Sequence, residues 1–134
     1  MFVPPLPNII EIPFFEKGFI PPDCIIMEKL NLLIEQNYKE NKPASFYTEE
    51  MNLSLKVLNA IAKRRRGLTL HGLIQYRIYT QAAHLILNTR MTMKEISFAL
   101  GLSDPAYFSR RFKRITGMKP KNFKQINYNS HHIF

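Results

Sequence analysis

The chain has 134 residues and a formal net charge of +9, and this charge is divided unevenly along it. Residues 1–50 carry four basic and eight acidic side chains, a net charge of −4, whereas residues 51–134 carry fifteen basic and two acidic ones, a net charge of +13. This length favours one compact unit, or one domain plus an appended segment. The hydrophobic content of 46% is enough for a core and argues against wholesale disorder.

Several protein classes are excluded by simple features of the sequence. No apolar run approaches the roughly 18 residues that a bilayer-spanning helix needs, and Met1 to Pro7 lacks the basic start of a signal peptide. The single cysteine, Cys24, excludes an intramolecular disulfide and a multi-cysteine zinc site. We therefore expect a reducing cytoplasm and no membrane partner. The basic half indicates a polyanionic binding partner, and nucleic acid is favoured over a membrane surface. The alternative is a soluble basic protein without such a partner.

The chain begins with a proline-rich leader and then becomes helical. Residues 1–22 hold six of the nine prolines, which block helix formation, so an irregular or extended leader is expected over residues 1–21. From Ile26, apolar residues recur at i, i+4, i+7 and i+8, which predicts a helix over about residues 22–41. Alternation of period two is absent over any useful length, so residues 22–134 are expected to form one all-α domain.

Three helices are predicted in the middle of the chain. Short helices at about 46–51 and 55–66 are separated by a turn, and Gly67 ends the second of them. Thr69 can cap the next helix, which is expected over about 70–88 because it carries a broad apolar stripe. At 1.5 Å per residue, its length of about 19 residues spans about 28 Å.

The last third contains two helix starts. Thr92-Met93-Lys94-Glu95 has the capping-box pattern and predicts a helix over about 93–100. Gly101 can supply the left-handed conformation that ends this helix. Ser103 is expected to be the N-cap of a further helix over about 105–115, with proline tolerated in its first turn.

Two segments of the chain are similar, which indicates an internal repeat. Met51-Asn52-Leu53-Ser54 matches Leu100-Gly101-Leu102-Ser103 at an offset of 49 residues. Beyond the turn the offset is 50, and three pairs match: Leu58 with Phe108, Lys63 with Lys113, and Gly67 with Gly117. Each copy is a short helix, a tight turn and a longer basic helix, which is the outline of a helix-turn-helix. A last short helix is predicted over about 120–126.

The longer helix of the second copy has the pattern of a DNA-recognition helix. Phe108, Phe112 and Ile115 share one face and must be buried. The opposite face carries four polar or basic residues, Ser109, Arg110, Lys113 and Arg114. Arginine reads guanine in the major groove, a small residue such as Ala106 allows close approach or touches a thymine methyl group, and the later cations suit phosphates. A solvated amphipathic helix is the alternative, but it predicts pairing glutamates, and residues 105–127 contain no acidic residue.

The longer helix of the first copy carries a weaker version of this pattern. Three polar side chains, Lys56, Asn59 and Lys63, are predicted to face outward. Three apolar ones, Val57, Leu58 and Ile61, are predicted to face the core. The run Lys63-Arg64-Arg65-Arg66 has the composition of a phosphate clamp, although arginines at a solvated helix end have the same appearance.

The second copy also resembles a known family. The run from Met93 to Lys113, followed by Thr116-Gly117-Met118-Lys119-Pro120, is similar to the second helix-turn-helix of AraC/XylS-type transcription regulators. The resemblance covers roughly residues 28–127. It implies an all-α fold of about seven helices in three parts: a helix-turn-helix over about 46–66, a linking helix over about 70–88, and a second helix-turn-helix over about 93–115. In that family the two recognition helices enter successive major grooves, about 34 Å apart along the duplex.

The resemblance also implies which residues contact double-stranded DNA. In the first recognition helix they are Lys56, Asn59 and Ala60, followed by Lys63 and Arg64. In the second they are Pro105, Ala106, Ser109 and Arg110, followed by Lys113 and Arg114. The first copy departs from the family pattern at several places: Ala60 stands where arginine is common, Ala62 replaces a core phenylalanine, and Thr48 and Asn52 replace the usual alanine and glycine.

The resemblance implies a bacterial, cytoplasmic, nucleoid-associated transcription regulator with no enzymatic activity and no cofactor. Other functions have less support in the sequence. The alternative is an interaction module derived from such a regulator, acting through a second regulator or RNA polymerase, with a leader that docks on the partner. RNA binding would require exposed aromatic residues, for which Tyr76, Tyr79 and Tyr128 are the candidates. The histidines and Cys24 have no metal-ligand spacing.

Overall fold

The computed structural model describes residues 21–132, with side chains as far as residue 127. The leader expected over residues 1–21 therefore lies almost entirely outside the described part of the chain. The same holds for residues 133 and 134 and for the side chains of Tyr128, His131 and His132.

The described part is all-α, as the sequence predicted. Residues 21–132 contain no strand and seven α-helices: α1 (Pro22–Asn37), α2 (Ala44–Met51), α3 (Leu55–Arg66), α4 (Leu70–Asn88), α5 (Met93–Ala99), α6 (Pro105–Thr116) and α7 (Pro120–His132). A single 3₁₀ turn, Tyr38–Glu40, follows α1. The bounds of α3 and α4 are those predicted.

Three helix ends differ from the sequence expectation, each for a local reason. The first helix ends at Asn37 rather than near 41, because the chain tightens into the 3₁₀ turn and then takes a positive φ at Asn41. Helix α2 begins two residues early, directly after Pro43. Helix α7 continues to His132 instead of ending near residue 126, since no glycine or proline interrupts residues 121–132.

The internal repeat predicted from the sequence is present in the backbone. Asn52 and Gly101, 49 residues apart, both have a left-handed conformation, with φ of 54° and 76°. Each turn also has the same backbone hydrogen bond, from Leu53 N–H to the Thr48 carbonyl at 3.1 Å and from Leu102 N–H to the Ser97 carbonyl at 2.9 Å. Asparagine tolerates this conformation better than most residues, so it can replace glycine in the first turn.

Most predicted caps are present, and one is wrong. Thr92 and Glu95 form the complete capping box, and the hydrogen bond from Thr92 N–H holds the pKa of Glu95 below its usual value. In α6, however, Asp104 and not Ser103 is the N-cap, and its Oδ1 accepts from the N–H groups of Ala106 and Tyr107 at 3.0 and 3.3 Å. The extra residue of the second copy moves the cap by one position, and a carboxylate there is favoured by the helix dipole.

The described residues form two compact units, and the division falls inside α4. One unit contains residues 21–38 and 42–75; its core includes Met27, Leu30, Tyr47 and Leu58. Ala62, in place of the family's phenylalanine, is fully buried there. The prediction that Val57 belongs to this core is wrong, since 42% of its surface is exposed.

The other unit contains residues 39–41 and 76–132, and aromatic rings build its core. Tyr79 stacks on Phe108, with ring centroids 5.7 Å apart. Phe112 lies 6.1 Å from Phe108 and 5.3 Å from Phe123, in the latter case edge to face. Phe108 and Phe112 are fully buried, as predicted, whereas Ile115 is only partly buried. This cluster holds one face of α6 against the interior.

Gly101 is held in this second unit by two constraints at once. Its φ of 76° disfavours any residue with a Cβ atom, and a Cβ atom placed there would lie 2.1 Å from the carbonyl oxygen of Lys39. Gly67 has a similar φ of 75° but no atom within 4 Å of such a Cβ position. A substitution at Gly67 therefore introduces only backbone strain, whereas one at Gly101 introduces backbone strain and a steric overlap.

A side-chain hydrogen bond connects α3 with the start of α4 in the first unit. The amide oxygen of Asn59 accepts from the backbone N–H of Leu70 at 2.9 Å. Thr69 Oγ1 accepts from Gly72 N–H at 3.1 Å, which confirms the cap predicted for α4. Asn59 thus satisfies one of the N–H groups that the first turn of a helix leaves without an intrahelical partner.

We predict that Gly101→Ala destabilises the protein far more than the matched control Gly67→Ala. Left-handed strain alone should cost about 1–2 kcal/mol in both variants. The overlap with Lys39 should raise the cost for Gly101→Ala to on the order of 3–5 kcal/mol. Urea unfolding followed by circular dichroism measures both, and equal losses in the two variants would contradict the close approach at Gly101.

We also predict that Asn59→Ala lowers the free energy of unfolding by about 1 kcal/mol, because the hydrogen bond to Leu70 N–H in the first turn of α4 is lost. Asn59→Asp keeps the acceptor oxygen and adds a negative charge near a helix N-terminus, so it should retain the stability of the original chain. Thermal unfolding of the two variants tests this. If Asn59→Asp is as unstable as Asn59→Ala, the hydrogen bond to Leu70 is not the reason for the loss.

Candidate nucleic-acid interface

Helix α6 has one face in the aromatic core and the opposite face in solvent. Because Phe108 and Phe112 are buried, the side chains about 180° away around the helix must be exposed. Four of the predicted contact residues are exposed, namely Ala106, Arg110, Lys113 and Arg114. Pro105 and Ser109 are half-buried at the edges of this face. The structure therefore brings all six predicted residues of the second recognition helix to one side of one helix.

The exposed cations of α6 are not paired with carboxylates of the described residues. Among the residues that the structure describes, no carboxylate forms an ion pair with Arg110, Lys113 or Arg114. The carboxylate nearest in sequence, Asp104, is occupied by backbone N–H groups at the start of the helix. The face thus combines donors for base edges with positive charge for phosphates.

Arg111 has a different environment from the other cations of α6. Burial raises the pKa of the Tyr79 hydroxyl, and the guanidinium of Arg111 beside it opposes that rise. Tyr79 is fully buried, so it is not available for the stacking on RNA bases considered above. Arg111 therefore lies beside the aromatic core, at the edge of the exposed face of α6.

Helix α3 presents a comparable face, but with fewer available groups. Lys56, Ala60 and Lys63 are exposed, as predicted. Asn59 is half-buried and its amide oxygen is engaged with Leu70 N–H, so its structural role as a cap was not foreseen. Contact between Asn59 and a base stays a prediction, since one of the two acceptor sites of its amide oxygen is already used.

Arg64, predicted to bind phosphate, is held by an acidic residue of α1. Its Nε and Nη2 atoms donate to Oδ2 of Asp23 at 3.0 and 2.8 Å. Arg65 Nε lies 3.7 Å from the same oxygen. The Arg64 side chain is 59% exposed and that of Asp23 is 22% exposed, so the pair is at the surface. Part of the basic run at the end of α3 is therefore offset by a carboxylate 41 residues earlier.

Two side chains of α3 and α6 are exposed although the sequence did not identify them as surface residues. Val57 in α3 and Tyr107 in α6 are 42% and 47% exposed, and they are equivalent positions of the internal repeat. The signal was available, because each immediately precedes a buried residue, Leu58 or Phe108, and lies about 100° from it around the helix.

The described residues show neither a metal centre nor a membrane span. No group of three or more histidine, cysteine, aspartate or glutamate side chains within the described range could hold a metal ion. His71 and His84 are exposed, and Cys24 is buried. No helix between residues 21 and 132 is long and apolar enough to cross a bilayer.

Comparison with known proteins agrees with the helix-turn-helix geometry. Residues 47–126 match a family described as a helix-turn-helix domain. The chain is 26% identical over 115 residues to the HTH-type transcriptional activator RhaR of Escherichia coli K12, covering 84% of this chain and 41% of RhaR. The chain thus spans about two fifths of the length of this relative.

Solved structures share the fold. The C-terminal domain of the two-component response regulator yesN from Fusobacterium nucleatum superposes with a TM-score of 0.68 and 25% identity, covering 73% of this chain and 96% of that domain. The C-terminal domain of AraT, a response regulator from Geobacillus stearothermophilus, has a TM-score of 0.70 and 24% identity, covering 75% and 84%.

RhaR is a transcriptional activator and yesN and AraT are response regulators, so the comparison gives regulators and not enzymes, as expected from the sequence. The match over residues 47–126 includes both helix-turn-helix copies and the helix between them. The chain belongs to the helix-turn-helix family of AraC/XylS-type transcription regulators and corresponds to their C-terminal DNA-binding domain.

Proposed function

We propose that this domain binds a specific double-stranded DNA sequence by inserting α3 and α6 into successive major grooves. The observation that carries the proposal is the exposed face of α6, where Arg110, Lys113 and Arg114 stand without a described acidic partner. A face of this kind offers donors to base edges and charge to phosphates on one helix. In the cell it would serve transcription regulation.

In the proposed mechanism, the first turns of α6 read the bases. Pro105 and Ala106 have small side chains, which allow the N-terminal end of the helix to approach the floor of the groove. Arg110 donates two hydrogen bonds to O6 and N7 of a guanine, and Ser109 adds a contact to a neighbouring base. Lys113 and Arg114, one turn further on, neutralise phosphates and release counterions, so binding weakens as salt increases.

Helix α3 is proposed to contribute more to affinity than to base selection. Lys56 and Lys63 are exposed cations, and Ala60 offers only a methyl group where arginine is common in the family. The 19 residues of α4, which lie between the two helix-turn-helix copies in the sequence, measure about 28 Å along the helix axis.

The alternative function is an interaction module that acts through a second regulator or RNA polymerase. The observation that favours it is the apolar surface of α1, where Ile25 and Leu32 are 54% and 59% exposed. Residues 1–21 precede this helix and would connect residues 22–134 with a partner or with another domain. Under this alternative, DNA would be bound weakly and without sequence preference.

We predict that Arg110→Ala costs about 1–3 kcal/mol on the specific site and relaxes the preference at one or two base pairs. Selection of bound duplexes from a random pool gives the site, and anisotropy titrations give the affinities. Arg90→Ala is the control, because Arg90 is an exposed arginine outside both recognition helices. If Arg110→Ala keeps full selectivity, this arginine does not read a base; if no sequence is enriched, the interaction module is the better explanation.

We predict that Asp23→Asn strengthens binding to any duplex, because it frees the charge of Arg64 for a phosphate. The slope of log K against log salt should steepen by about 0.9, the value for one additional phosphate contact. Glu28→Gln is the matched control, since it removes the same charge from an exposed position of α1. Equal effects of the two variants would show that Asp23 acts only through net charge.

A further inference from the structure

We propose that Val57 and Tyr107 are a matched pair of specificity contacts, each reading the methyl group of one thymine. The inference deepens the proposed function and rests on it. It assigns to each recognition helix one apolar contact in addition to the polar ones. The basis is that two apolar side chains, 42% and 47% exposed, occupy equivalent places on the two helices.

The two residues have the same local geometry. Val57 is the third residue of α3 and Tyr107 the third residue of α6. The backbone N–H of each donates to the side chain that caps its helix, to Ser54 Oγ at 3.2 Å and to Asp104 Oδ1 at 3.3 Å. The cap therefore holds each residue at a defined position in the first helical turn, which is the part of a recognition helix that meets base edges.

Each residue also begins a stripe that continues along the exposed side of its helix. Residues three and seven positions further on lie on the same side. In α3 these are Ala60 and Arg64, and in α6 they are Arg110 and Arg114. In α6 the apolar side chain thus stands beside Arg110, which is proposed to read a base, and in α3 it stands beside Ala60, which is predicted to contact DNA.

The chemistry of the two side chains fits a methyl group in the major groove. Thymine alone among the four DNA bases presents a C5 methyl there, and it is recognised by apolar contact. Valine has a branched Cβ and is stiff at χ1 in a helix, and tyrosine has only two side-chain torsions, so each loses little freedom on contact. Neither residue is among the buried residues of its unit, so each leaves part of its apolar area exposed at the surface of its helix.

The test replaces single thymines by deoxyuridine, which removes only the methyl group and keeps base pairing. The duplex is the one recovered by selection with the full chain, and the affinity is measured by fluorescence anisotropy. We expect that one substitution in each half of the site weakens binding by about three- to fivefold, the effect of one buried methyl group. This part uses the unaltered protein and does not depend on the folding of any variant.

The variants then assign the two contacts. Val57→Ala should lose the sensitivity to deoxyuridine in one half of the site and Tyr107→Ala in the other. Tyr107→Phe should keep it, because the ring and not the hydroxyl makes the contact. Leu55→Ala is the matched control and should keep both, since Leu55 is a 43% exposed apolar residue of α3 on another side of the helix.

The outcomes separate the inference from the proposed function. Failure to select any duplex would overturn specific DNA binding itself. Specific binding that tolerates deoxyuridine everywhere, or a site without thymine in either half, would overturn the thymine contacts alone. The same holds if Val57→Ala and Tyr107→Ala both remain sensitive. Loss of sensitivity in Tyr107→Phe would show that the hydroxyl makes the contact, which also contradicts an apolar reading.

Discussion

The rotation of each recognition helix about its own axis is the constraint on which the proposed interface depends. In α3 it is set by the burial of Leu58, and in α6 by the burial of Phe108 and Phe112. Burying one such side chain stabilises the fold by about 1.5–3 kcal/mol, so a helix rotated away from this position would lose much of the core energy. The exposed side chains follow from that choice, because helical geometry places them opposite the buried ones.

The turns that precede these helices depend on the same arrangement in both copies. A residue with positive φ, Asn52 or Gly101, ends the short helix, and a capping side chain starts the long one. The second copy is the more tightly constrained of the two, since Gly101 also lies against the Lys39 carbonyl. Substitution at Gly101 would therefore disturb the packing of the turn that precedes α6.

Charge distinguishes the two copies more than backbone geometry does. The exposed cations of α6 have no described acidic partner, whereas Asp23 offsets Arg64 at the end of α3. Asn59 is likewise engaged within the protein, by the first N–H of α4. Two of the groups that would make α3 a reader of bases and phosphates thus already have protein partners, which fits a larger share of selectivity in α6.

The sequence by itself determined the all-α class, the repeat, the bounds of α3 and α4, the capping box and the exposed face of α6. All of these depend on local periodicity, on capping residues or on glycine, whose effects reach only a few residues along the chain. The tertiary structure alone decided that Asp23 meets Arg64 across 41 residues, that Asn59 caps α4 and that Val57 is exposed. These features depend on how helices that are distant in the sequence pack together. The apolar periodicity of one helix does not specify which other helix covers each of its faces.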